Sequence, residues 1–168
     1  WGKAFKRDLL VPQQLDVPDD VTIGEDAIVS YPVLLKANSI DVIDVCSYMY
    51  RTNENSMTRS YNKSLTNNLP ILVEYFEHSL HNNKNYNILY PQLCDYICFM
   101  TLGAISNELR GTRDVANALD KLQVIVNNKT IYNAVLRKNS PANVKLAFNA
   151  VRKRRKLVAC LLKKRWSK

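Results

Sequence analysis

Residues 90–109 constrain the fold more than any other stretch of this chain. Leu93, Ile97, Met100, Leu102, Ala104 and Ile105 recur at the spacing that gathers side chains on one side of an α-helix. Pro91 suits a helix's first turn, and Gly111 suits the position just past a helix end. Such a helix is too apolar for a surface, so it is expected at the centre with other helices around it. Its most apolar stretch, residues 93–105, is interrupted by Cys94, Asp95, Thr101 and Gly103. It therefore falls short of the roughly 18 apolar residues of a bilayer span.

The flanking sequence also reads as helical. Ser39 is placed to cap a first helix that stops near Thr52-Asn53, with Asp41 and Asp44 at its positive end. Ile40, Ile43, Val45, Cys46, Met49 and Tyr50 form its apolar face. A second helix is expected over 56–67. The next starts at Pro70 and carries Ile71, Leu72, Tyr75, Phe76 and Leu80 to a loop at 81–85. After Gly111, Thr112 can cap a helix containing Val115, Ala118, Leu119, Leu122 and Val124 to Val126, with a short helix following over 130–137. Ser140-Pro141 reads as a cap and first position for a last helix, in which Val144, Phe148, Val151, Val158, Leu162 and Trp166 make one apolar stripe. By contrast, Pro12, Pro18 and Pro32, with strand formers at 21–23 and 27–35, predict an extended arm with short strands. The expected organisation is one mainly α domain, a helical bundle. It has an acidic arm (1–39), a helical core (40–140) and a basic C-terminal helix (141–168).

Charge divides the chain sharply. Its formal net charge is +9, yet residues 141–168 hold ten of the 24 Lys and Arg and no acid. Lys145, Arg152, Lys153, Arg154, Arg155, Lys156, Lys163, Lys164 and Arg165 are the candidate polyanion contacts. A solvated helix face normally mixes signs, and this one does not. Nucleic acid is the favoured partner, because each neutralised phosphate releases counterions. A basic amphipathic helix with a Trp also suits an anionic membrane or a protein groove. The cluster 152–156 has the character of a nuclear localisation signal as well.

Arg110, Arg113 and Asp114 surround a helix end and a helix start. They suit phosphate binding, or plain capping with an Arg–Asp surface pair. His78, His81, Cys94 and Cys98 have a loose zinc-ligand spacing, but an apolar helix face carries such cysteines without a metal, so no metal or other cofactor is expected. The four cysteines show no dense framework, which suits reduced thiols in an intracellular protein. The first residues, WGKAFKRDLL, contain no signal-peptide core. Of the nine tyrosines, some suit base stacking and more suit core or subunit contacts. No phosphate-binding loop, dinucleotide fingerprint or nucleophile elbow is present, so no enzyme activity is expected.

The stretches IDVIDVCSY (40–48), YNILYPQLCDYICFMTLGA (86–104) and TRDVANALDKL (112–122) resemble the first, third and fourth helices of the coat proteins of rod-shaped, tobamovirus-type plant viruses. That resemblance implies self-assembly on RNA, with Arg110, Arg113 and Asp114 near phosphate and ribose. The chain departs from the family in a shorter loop before the fourth helix and in its long basic C-terminal helix. The expected function is a non-enzymatic, self-associating coat or nucleocapsid-type protein, found in cytoplasm or nucleus and in a virion. The competing reading is a regulatory or matrix-type protein whose basic helix binds membrane or a protein partner.

Overall fold

The computed structural model describes residues 2–14, 17, 21, 24–46, 48–49 and 60–166. These form α1 (Arg7–Gln14), α2 (Glu25–Lys36), α3 (Leu65–His81), α4 (Tyr86–Gly111), α5 (Val115–Lys121), α6 (Gln123–Asn127), α7 (Lys129–Leu136), α8 (Ala142–Arg152) and α9 (Lys156–Trp166). The described residues contain no strand, and the fold is mainly α.

The long apolar helix is central, as its spacing predicts. α4 touches α3, α5, α7, α8 and α9. It buries Leu93, Cys94, Ile97, Cys98, Ala104, Ile105 and Leu109 among Phe76, Leu119, Ile131 and Phe148. By length and composition α4 is long and apolar enough to cross a membrane, which exceeds the sequence expectation. In this fold its apolar side is occupied by five neighbouring helices.

The N-terminal arm is not extended over most of its described length. Residues 27–35 lie inside α2, where Ile28, Pro32 and Val33 are buried and the helix contacts α3. Propensity is a weak prior, and burial of this helical face outweighs the strand preference of Ile and Val. Gly24 starts the helix at φ +84, where a side chain is strained and a Cβ would come within 2.8 Å of Leu72. Pro12 and Pro32 are both inside helices, α1 and α2. The strand expected at 21–23 falls largely on residues 22 and 23, outside the described residues.

The expected first helix is absent from residues 39–46 and 48–49, which are exposed and non-helical. A helix this short is marginal without a surface to pack on, and these residues stay exposed. Residues 47 and 50–59 lie outside the described set; of the helix expected at 56–67, residues 60–64 are irregular and 65–67 open α3. Pro70 is therefore within α3 rather than at its start.

Several caps also differ. Asp114, not Thr112, caps α5, its carboxylate accepting from the Ala116 N–H at 2.8 Å. The helix expected through residue 126 breaks at Leu122 into α5 and α6. Asn128 caps α7, accepting from the Ile131 N–H at 3.0 Å. Ser140 is buried and donates to the Ala134 carbonyl at 2.8 Å, which leaves α8 without a side-chain cap. Gly111 is helical; its missing side chain accommodates the Tyr61 ring instead of a left-handed turn.

Candidate nucleic-acid interface

The basic C-terminal segment is two helices, not one long rod. α8 ends with Arg154 in the left-handed region at φ 48. The Arg155 N–H reaches the Ala150 carbonyl at 2.8 Å and the Arg154 N–H reaches Val151 at 3.0 Å. These two bonds close α8 with the turn that glycine usually makes. Continuing the helix would stack five consecutive cations, Arg152 to Lys156, at repulsive i,i+3 and i,i+4 spacings. The break lets α9 fold back on α8 while still touching α4 and α5.

Two contacts orient α9. Arg154, just before it, pairs with Asp120 near the end of α5. Lys163, two turns on, donates to the Thr112 carbonyl just before α5. α9 therefore runs antiparallel beside α5. This brings the two sequence-predicted clusters together, because Thr112 lies between Arg110 and Arg113. The basic surface extends along α9, about 16 Å at the helical rise.

The acids on this side are already engaged. Glu108 is buried and accepts from Tyr61 at 3.1 Å and Thr66 at 3.2 Å, and its carboxylate pairs with Lys121 at 3.1 Å. That bond and the Glu108 charge raise the Lys121 pKa above its ordinary value. Asp120 is taken by Arg154, and the Asp114 carboxylate by its cap bond.

The sequence-predicted cations divide into two groups. Lys145 donates to the Lys138 carbonyl at 2.9 Å, about two turns along α8 from the basic turn. Arg152 covers the Tyr132 ring at 5.4 Å and donates to its hydroxyl at 3.0 Å, so that ring is not an open stacking platform. With Arg154 and Lys163, these side chains hold the fold as well as carry charge. Lys153, Arg155, Lys156, Lys164, Arg165, Arg110 and Arg113 have no ion pair or side-chain hydrogen bond among the described residues. The Arg–Asp pair considered for Arg113 and Asp114 does not form.

α9 has a feature the sequence stripe did not reveal. Ala159 is buried, and Leu162 and Trp166 pack on the core as expected. Leu157, Cys160, Leu161 and Lys164 occupy the opposite face, with Leu157 83% and Leu161 69% exposed. Plotting all apolar residues of 156–166, rather than one stripe, reveals this second face.

The loose zinc set is dispersed by burial. His78 and His81 are exposed, whereas Cys94 and Cys98 are buried. Burial raises both thiol pKa values, and the Cys98 Sγ lies 3.6 Å from the Ala134 carbonyl. Among the described residues, no group of three or more His, Cys, Asp or Glu is arranged to hold a metal.

Compared with protein-family models, curated proteins and solved structures, the chain matches none of them.

Proposed function

We propose that this protein is a non-enzymatic structural protein that binds RNA through phosphate contacts and self-associates along it, as a coat or nucleocapsid-type protein does. The supporting observation is that α9 packs on α5, with Lys163 donating to the Thr112 carbonyl between Arg110 and Arg113. Around this contact, Lys153, Arg155, Lys156, Lys164, Arg165, Arg110 and Arg113 are exposed without ion pairs or side-chain hydrogen bonds among the described residues, and Glu108, Asp114 and Asp120 are engaged. Contacts of this kind fix position on a backbone and carry no base sequence information. Such a protein works in the cytoplasm or nucleus and within a virion.

The test is binding of a labelled single-stranded RNA across a salt series. Removing everything after Ser140 is unsuitable, because α8 supplies buried Val144, Phe148 and Val151 to the core. The informative variant is Lys153→Gln/Arg155→Gln/Lys156→Gln, at three exposed positions. On single strands each phosphate contact adds about 0.7 to the slope of log affinity against log salt, so the triple variant should lower the slope by about 2. An unchanged slope would remove the basic turn from the interface. The exposed Leu157 and Leu161 among cations favour a second reading, attachment to an anionic membrane. Absence of RNA binding at low salt, with binding to phosphatidylserine vesicles, would replace the first reading with the second.

A further inference from the structure

Two exposed surfaces of this chain match each other. The first is residues 38–46, all exposed and non-helical. Ile40, Val42, Ile43 and Val45 are 63%, 94%, 73% and 68% exposed, with Asp41 and Asp44 between them and no cation from 37 to 49. The second is the outward face of α9, where Leu157 and Leu161 stand among Lys153, Arg155, Lys156, Lys164 and Arg165, with no acid after Asp120.

Each surface is unfavourable alone. Isolated exposed apolar residues are ordinary, but four within six residues are a contiguous apolar patch of the kind that marks an interaction site. Ile40, Ile43 and Val45 carry a helical packing pattern, yet all three are exposed. The acids beside these residues suit a basic surface, and the leucines of α9 suit an apolar strip.

We propose that residues 38–46 of one copy dock on the outward face of α9 of a second copy. Val42, Ile43 and their neighbours cover Leu157 and Leu161, and Asp41 and Asp44 pair with the flanking lysines and arginines. The two surfaces differ, so the contact is heterologous. Each copy keeps one free segment and one free face, and association continues into a chain or ring. Two acids offset only two of the cations, which leaves Arg110, Arg113 and most of the basic turn for phosphate. The inference supplies the self-association within the proposed function, and its test uses no nucleic acid.

The experiment is sedimentation velocity of the full chain at low salt over a concentration series. Wild type should form species larger than a monomer, and added salt should shrink them. Asp41→Lys/Asp44→Lys should weaken association about a hundredfold, because like charges then face each other. Leu157→Gln/Leu161→Gln should also sediment as a monomer. Mixing these two variants is decisive. One retains the α9 face and the other retains the segment, so the mixture should form a dimer and stop there. A wild type that stays monomeric at high concentration, or a mixture that stays monomeric, would overturn the proposal. So would free extension of the mixture past a dimer.

Circular dichroism on each variant separates loss of contact from loss of fold. A short RNA oligomer separates this inference from the function it rests on. Leu157→Gln/Leu161→Gln keeps every cation and should bind the oligomer like wild type. RNA binding without self-association sinks the inference and leaves the RNA-binding part of the proposed function standing. Self-association without RNA binding sinks the proposed function alone.

Discussion

Replacing Gly111 with Ala should unfold part of the molecule's stability through a residue fifty positions away in sequence. The Tyr61 ring lies on Gly111, and a Cβ there would fall inside the ring's own envelope. The ring must then leave, and its hydroxyl loses the Glu108 carboxylate, at 3.1 Å from the nearer oxygen. A hydrogen bond to a charged group contributes about 1.5–3 kcal/mol. With the lost ring packing, Gly111→Ala should cost about 3 kcal/mol, at the upper end for a single substitution. In a Tyr61→Ala background nothing occupies that space. There Gly111→Ala should be neutral or stabilising by up to about 1 kcal/mol, the helix-propensity difference. The coupling in the double-mutant cycle is therefore about 3–4 kcal/mol. Urea unfolding followed by circular dichroism measures it, provided the four proteins share one slope with denaturant. If Gly111→Ala costs the same with and without Tyr61, the ring does not determine the need for glycine, and the reasoning fails.

Other expectations follow from the same contacts. A chain ending at Ser140 should lose cooperative unfolding, since it lacks buried Val144, Ala147, Phe148 and Val151; a sharp thermal transition in that chain would show an independent core. Asp114→Ala should lower stability by about 1 kcal/mol by removing the α5 cap, and Asp114→Ser should restore most of it. RNA affinity should not fall in either variant, and a drop in both would give Asp114 the direct RNA role that the coat-protein resemblance implies. The raised Lys121 pKa means that its bond to Glu108 supports the fold fully below about pH 10.4. That support is lost as pH rises through the folded value, so wild type and Lys121→Met should converge in stability at strongly alkaline pH. Arg154→Gly relieves a left-handed arginine but forfeits a surface pair with Asp120, so it should be stabilising by up to about 1 kcal/mol.

Where a helix buries its own apolar face, its spacing was legible in the sequence. The stripe Leu93, Ile97, Ala104 and Ile105 predicts α4, and Phe76 and Leu80 predict the body of α3. Ends were less legible. Thr112, Asp114 and Ser140 are all competent caps, and only the path of the neighbouring backbone decides which one is used. α2 was not legible because Ile28, Val29 and Val33 suit a strand until α3 supplies a surface for a helix. Residues 39–46 differ in the opposite direction, since their spacing is helical but they stay exposed and non-helical. At the candidate site, the cations were legible as a group. Their division was not, because Arg152, Arg154, Lys145 and Lys163 find partners on segments distant in sequence.

That division bears on why the basic segment is built as a turn. A single basic rod appended to a bundle would place its charge away from the core and leave Arg110 and Arg113 isolated. Breaking the helix at Arg154 instead sends α9 back along α5, where Lys163 meets the Thr112 carbonyl beside both arginines. The same fold-back buries Ala159 and packs Leu162 and Trp166 on the core. It also makes Leu157 and Leu161 the outward residues, since a helix that directs one apolar stripe inward must turn its remaining leucines to solvent. One backbone turn thus brings two cationic segments side by side and leaves two leucines of α9 exposed among its cations. A phosphate backbone engages only the first of these features. The second calls for a partner that brings both apolar side chains and acids, and residues 40–45 carry that combination.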